Sequence, residues 1–268
     1  MTTFDAYERE LWAGRAPAYQ QGFARLTAYT AGPLLDAVKA GAGTRLLDVG
    51  TGTGVVSAEA VRRDVDVSAI DADPGMAETA ARNVPGLDVR VAVLPEVPFE
   101  DAAFDAVVGN FVINHVGEPG VALRELRRVL RPGGRLALTC WEMPGSGALG
   151  IVREAMDEVG VPWPDDLPVS PFMEYGQRAP FRELVRGAGF GEVEVEPLTW
   201  NHVVDPQEWW ESCALARVGS NGVILARQEP ATIDRIKTAY DQIMTRYTVT
   251  ADQVSLPAHA LLATATLR

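Results

Sequence analysis

From residue 45 the chain alternates two patterns. Short apolar runs lie at 45–49, 65–70, 87–93, 104–109 and 135–141, each the length of a strand. Between them, apolar residues recur every three or four positions. In 117–130, for example, Val121, Leu123, Leu126, Val129 and Leu130 gather on one side of a helix. Further helices are expected at 55–63 and from Pro74 to about Asn83, with Asp73 at the N-cap and Pro74 at the first helical position. The run 131–134, Arg-Pro-Gly-Gly, stops the helix that precedes the fifth strand. Strands alternating with helices imply a parallel sheet covered on both faces.

Outside this block the pattern is less regular. Residues 5–40 carry helical spacing, read as two helices broken near 14–17 and 32–33. After 141, helix is expected at 147–159 and 178–188, loop at 161–171, and strand at 191–204. Helical stretches follow at 209–218 and 229–247, and 260–267 returns as a final antiparallel strand. No internal repeat is visible. The organisation expected is one domain over 1–268, with N-terminal lid helices at 5–40 and helical substrate-side insertions at about 142–175 and 203–250.

The first strand ends in Asp48-Val49-Gly50-Thr51-Gly52-Thr53-Gly54. Glycine lets the backbone turn sharply and lets a ligand approach the main chain. A strand feeding such a turn and then a helix is a nucleotide-site geometry. The dinucleotide fingerprint is G-x-G-x-x-G, yet position 55 is Val55 and the third glycine comes one residue early. A tight turn without any ligand is the plain alternative, so the downstream sequence has to decide.

Composition narrows the partners. With 24 Lys and Arg against 36 Asp and Glu, the net charge is −12, which repels a phosphate backbone and argues against nucleic acid. The one basic cluster, Arg124, Arg127, Arg128 and Arg131, is spaced like the solvated face of a helix. Cys140 and Cys213 form no metal or disulfide pattern. No apolar segment has the length of a membrane span, and no signal region opens the chain, so a cytoplasmic protein is expected.

Four later landmarks make the glycine turn specific. Asp71 ends the second strand about twenty residues after the glycines, in Ile70-Asp71-Ala72-Asp73-Pro74-Gly75-Met76. A carboxylate there accepts hydrogen bonds from ribose hydroxyls. Residues 98–105 read Pro-Phe-Glu-Asp-Ala-Ala-Phe-Asp, and 108–116 read Val-Gly-Asn-Phe-Val-Ile-Asn-His-Val. Residues 125–136 carry Arg-Val-Leu-Arg-Pro-Gly-Gly into the fifth strand. Together with D-x-G-x-G-x-G, these resemble, in order, the motifs of class I S-adenosylmethionine (SAM)-dependent methyltransferases. The nearest branch is the one that resembles ubiquinone and menaquinone biosynthesis enzymes. The resemblance covers roughly 40–142.

The resemblance implies a Rossmann-like α/β fold, a seven-stranded sheet of order 3-2-1-4-5-7-6 with helices on both faces and a helical lid. It implies SAM as cofactor, S-adenosylhomocysteine as product, a small, largely apolar acceptor methylated on O, N or C, no metal, and a monomer or homodimer. Gly50, Thr51 and Gly52 would lie against the methionine part, with Asp48 acting through the turn. Asp71 would hold the ribose, Ala72 and Met76 the adenine, and Asn110 and Phe111 the methionyl end. Tyr19, on the N-terminal helices, would fold over SAM. Relatives often place an Asp after strand three for the adenine amino group. Here that position is Val93, followed by Leu94, leaving a backbone N–H and apolar contact. Loss of a charge-assisted bond costs about 1–3 kcal/mol, so weaker or compensated SAM binding is expected.

For proton removal from an acceptor, His115 leads, since it follows strand four at the open edge of the sheet. The alternative is a hydrogen-bonded His that packs the turn. His202 and Glu142 are further candidates, against a surface role and a capping role. Trp141, Phe172, Tyr175, Trp200, Trp209 and Trp210 fall in the expected lid, as pocket wall or lid core. The fold also permits an enzyme that methylates nothing, such as a cyclase, and keeps SAM as a structural or electrostatic element.

Overall fold

The computed structural model describes residues 2–268. Its strands are β1 (Arg45–Val49), β2 (Asp66–Asp71), β3 (Asp88–Val91), β4 (Phe104–Asn110), β5 (Leu130–Trp141), β6 (Gly191–Val204), β7 (Thr248–Thr250) and β8 (Gln253–Thr266). They form one sheet in the order β3-β2-β1-β4-β5-β8-β6, with β7 paired to β8. β1 to β5 are parallel, and β8 runs antiparallel between β5 and β6. This is the expected order. The last strand counts as the eighth only because a three-residue strand precedes it.

Both faces of the sheet are covered, which is why its strands read as continuous apolar runs. Leu47, Val49 and Val107 pack into a core with helices Pro119–Val129 and Arg178–Gly187. Leu46, Ala106 and Val108 face the other way, against helices Ala31–Ala37 and Val55–Arg62. A third cluster lies over one end of the sheet. It joins Phe111, Trp141 and Val204 to helices Ile151–Glu158, Pro206–Trp209, Gly219–Ala226 and Pro230–Met244.

Several boundaries differ from expectation. The N-terminal region breaks after Trp12 and at Gly22, giving Thr3–Trp12, Ala16–Gln21, Phe23–Thr27 and, after a short 3₁₀ turn, Ala31–Ala37. Gly32–Pro33 makes no break. Pro33 stands in the first turn of its helix, where the missing N–H has no partner to lose. Helix Gly219–Ala226 was not expected, because Gly219, Ser220, Asn221 and Gly222 read locally as loop. β5 starts at Leu130, not after the Arg-Pro-Gly-Gly run: Gly133 N–H donates to Leu267 and Leu267 N–H to Gly134, so the run is held at the sheet margin. β8 starts at Gln253, well before 260. Among the described residues no helix is long and apolar enough to cross a membrane.

Candidate functional site

The turn after β1 places Gly50 and Gly52 in the left-handed region, at φ 64° and 57°. A Cβ on Gly50 would run into Val112, and one on Gly52 would sit 3.2 Å from the Tyr19 ring. Only glycine fits the first of these positions. Asp48 and Thr51 hold the turn from below. Thr51 Oγ1 and Ser57 Oγ both donate to Asp48 Oδ2, at 2.8 and 2.7 Å. Neither Asp48 nor Thr51 lines the cavity described next; both support the turn from behind. Asp48 is fully buried, its Oδ1 has no partner, and burial pushes its carboxyl pKa up.

Asp71 stands beside the turn. Its Oδ2 accepts from Gly52 N–H at 2.8 Å and its Oδ1 from Asp73 N–H at 2.9 Å. Burial raises its pKa from 3.8 to about 6, with the two backbone bonds pulling the other way. Asp73 caps the next helix by accepting from Met76 N–H at 2.8 Å. Ile70, Ala72, Met76, Val93 and Leu94 complete an apolar slot next to Asp71. Glu96, the next acidic residue after β3, is not in that wall.

At the end of β4, Asn110 is engaged on every side-chain atom. Its Oδ1 accepts from Thr30 Oγ1 at 2.6 Å and Thr139 Oγ1 at 2.8 Å, and its Nδ2 donates to the Thr27 carbonyl at 3.1 Å. Asn110 therefore fastens the N-terminal helices to the sheet. Phe111 is held at φ 57°, unusual for a bulky residue, with its N–H on Thr139 Oγ1. Its ring stacks on Trp141 at 4.0 Å.

One cavity of about 1090 Å³ runs from this slot to an aromatic end. Tyr19, Gly50, Gly52, Asp71, Ala72, Met76, Val93, Leu94, Asn110, Phe111 and His115 all line it. His115 lies in the short turn Ile113–His115 after β4. Trp141, Phe172 and Trp209 of the expected aromatic group reach the wall, joined by Trp163 and Met173. Tyr175, Trp200 and Trp210 do not; Tyr175 packs on Phe172 and Trp200 on Trp141 from behind the wall, and Trp210 packs on Tyr240. Two candidates do not line it. Glu142 follows β5 but lies outside the wall, where its N–H pairs with the His259 carbonyl. His202 is buried in β6 against Trp209 and Tyr29, also outside the wall, and neither ring nitrogen has a partner. Burial and Arg25 hold its pKa down to about 4.

Sequence reasoning missed Glu8, which lines the cavity and whose Oε2 lies 2.7 Å from His115 Nδ1. A signal was present. Phe4, Glu8 and Leu11 share the buried face of helix Thr3–Trp12, so a carboxylate stands in an apolar stripe.

Residues 47–138 match the family model described as a methyltransferase domain. The match spans β1 to β4 and most of β5, and the sheet order around it is the one that the resemblance implies. Among curated proteins it is similar to the demethylmenaquinone methyltransferases of Renibacterium salmoninarum and Clavibacter sepedonicus. Each is 39% identical, over 44% and 43% of this chain and 50% and 47% of theirs. The chain thus spans about half the length of these relatives. Among solved structures it resembles a protein from Bacillus halodurans described as a methyltransferase (TM-score 0.56, 19% identity, 89% of this chain and 98% of that one). It also resembles phosphoethanolamine N-methyltransferase 2 of Haemonchus contortus (TM-score 0.52, 19% identity, 89% and 52%). At these identities the structural likeness concerns the fold.

Proposed function

We propose that the chain transfers a methyl group from SAM to an oxygen, nitrogen or carbon nucleophile of a small, largely apolar molecule. The observation that carries this reading is the single cavity, which joins a nucleoside-type slot to an aromatic chamber. The residues at the slot fit SAM. Each oxygen of Asp71 accepts one backbone bond and keeps a lone pair for a ribose hydroxyl. The glycine turn brings main chain to the cavity wall where the methionine part would lie, and Val93, Leu94 and Met76 offer apolar contact to adenine.

When bound, SAM supplies a methyl group already activated by its sulfonium. The chain's own work is then to align the acceptor and exclude water. Phe111, stacked on Trp141, forms a flat wall between slot and chamber, and Phe172 and Trp209 enclose the chamber. His115 faces the same space and is the group placed to take a proton from an acceptor hydroxyl or enol.

The test is incubation with methyl-labelled SAM and a panel of phenols, amines and enols. S-Adenosylhomocysteine formed with at least one acceptor is the expected result. SAM binding without product from any acceptor would overturn the transfer reading, and no SAM binding would overturn the cofactor assignment as well.

A further inference from the structure

We propose that Glu8 is the positioning residue for His115, holding its imidazole in the tautomer that leaves Nε2 free to accept a proton from the methyl acceptor. The inference rests on the methyl-transfer reading for its chemistry, but its geometry stands apart from it.

Glu8 Oε2 lies 2.7 Å from His115 Nδ1 and takes a second bond from Trp12 Nε1 at 3.0 Å. A carboxylate only accepts, so the proton of the first contact belongs to Nδ1. In the neutral ring Nε2 then carries the lone pair. The Glu8 side chain is 9% exposed and that of His115 32%, so the carboxylate is covered while the imidazole opens on the cavity. Trp12 also packs edge-on to the imidazole, at 5.2 Å and 87°, which fixes the ring plane.

The support behind the pair is itself held. Asp5, one turn before Glu8, accepts from Gly117 N–H at 2.7 Å, two residues beyond His115. Asp5 also closes the capping box with Thr2. Tyr7 donates to Ser220 at 3.1 Å. The first helix is thus tied to the loop that carries His115 and to helix Gly219–Ala226.

In the transfer step the acceptor's electron pair forms the bond to the methyl carbon, and the S–CH₃ bonding pair stays on sulfur. The acceptor's proton moves to His115 Nε2. The resulting imidazolium faces the Glu8 carboxylate across an existing hydrogen bond, which stabilises the charge as it develops. Glu8 touches neither substrate nor cofactor in this scheme. It acts through His115, as an outer partner acts on any His whose other nitrogen does the chemistry.

The test reads the tautomer directly. The chain has three histidines, so long-range ¹H–¹⁵N spectra of the imidazoles are simple to assign with a His115→Ala control. Wild type should show His115 with a protonated Nδ1 and a bare Nε2. Glu8→Gln, which is isosteric, should lose this fixed preference. In turnover, Glu8→Gln should lower kcat by roughly 10²-fold with SAM affinity unchanged, and Glu8→Asp should recover part of it. The deficit should shrink across acceptors of falling pKa, because an acceptor already ionised needs no base; a merely structural role would not follow acceptor acidity. A protonated Nε2 with bare Nδ1 in wild type, or a deficit equal for all acceptors, would overturn the proposal. If wild type bound SAM but methylated nothing, the functional reading would fall, and the nitrogen spectrum would still decide the pairing.

Discussion

Replacing Asp71 by Asn separates what this carboxylate does for the fold from what it does for a nucleoside. In the free protein it accepts backbone bonds from Gly52 at 2.8 Å and Asp73 at 2.9 Å. Asn can accept one of them and sets its amide donor against the other, which costs about 1–3 kcal/mol. The ionised carboxylate carries an opposite burden. Burial raises its pKa from 3.8 to about 6, roughly 3 kcal/mol against the charged form. These effects are similar in size and opposite in sign, so the stability of the free protein at pH 7 should change by no more than about 2 kcal/mol. A bound nucleoside has no such offset. Its ribose hydroxyls lose charge-assisted bonds together worth about 2–3 kcal/mol, or roughly 30- to 150-fold in Kd. The pH dependence has a definite sign. An acid whose folded pKa lies above its unfolded one binds its proton more tightly when folded. Its burden on stability is full above pH 6 and is relieved as pH falls from about 6 toward 4. Nucleoside affinity moves the other way in that window, since the ribose requires the ionised form. Asp73 and Asp48 lie nearby, so the difference between wild type and Asp71→Asn isolates the Asp71 contribution. Calorimetric titration of S-adenosylhomocysteine at pH 5 to 8, beside urea unfolding, measures both quantities. Equal affinity in the two proteins, or a pH dependence of binding that survives in the variant, would refute the reasoning.

Four other substitutions test separate pieces of the structure. Gly50→Ala should destabilise by about 2–5 kcal/mol, combining left-handed strain with a collision at Val112; Gly86→Ala, at φ 87° with open space around it, should cost only about 1–2 kcal/mol, and equal losses in urea unfolding would rule out the collision. Val93→Asp restores a carboxylate at the adenine end and should tighten SAM binding roughly 5- to 100-fold, read by calorimetry; weaker binding would show that the slot takes adenine in another way. His202→Leu should leave stability at pH 7 within about 1 kcal/mol or raise it, because both ring nitrogens are buried without partners. His202 stays neutral in the fold, so wild type loses stability as pH falls below 6.5 and the unfolded chain gains the proton. The variant should lose less in thermal melts over pH 7 to 4.5, and an identical acid profile would exclude this origin.

The glycine-turn end of the cavity was legible because its parts are local. A glycine turn, a strand-end carboxylate and a capped helix are each written in a few adjacent residues, and parallel pairing of β1 with β2 sets Asp71 beside the turn. The parallel order was legible for the same reason, since each strand and its following helix form one repeating unit. The aromatic end was not. His115 was visible by its place after β4, but its partner Glu8 lies 107 residues away in sequence and meets it only through packing of the first helix. Likewise His202 and Glu142 sit near strand ends on paper, yet the antiparallel β8 and the helical cluster above it decide which way they face. Helix Gly219–Ala226 escaped because its Gly-rich start has the composition of a loop, and burial of Ile224 and Leu225 overrides that local preference.

The N-terminal helices contact both ends of the cavity, and this couples them physically. Tyr19 lies over Gly52 at the glycine-turn end, while Trp12 lies on His115 at the other. The two aromatic rings meet edge to face, at 5.6 Å and 84°, so they form one continuous bridge. Hydrogen bonds tie the bridge to the rest of the molecule, Asp5 to Gly117, Glu8 to His115, Tyr7 to Ser220 and the Asn110 contacts with Thr27 and Thr30, beside apolar packing that includes Phe23 on Trp209 and buried Leu26. Each bond contributes about 0.5–1.5 kcal/mol, somewhat more where a carboxylate takes part. The sheet beneath is held by ladders of backbone bonds and two apolar cores. Tyr19 on the turn and Glu8 on His115 are therefore parts of one packed unit. On the proposed reading, cover of the SAM slot and positioning of His115 then depend on one structural element, so Trp12→Ala should disturb both, read as weaker S-adenosylhomocysteine binding together with loss of the fixed His115 tautomer.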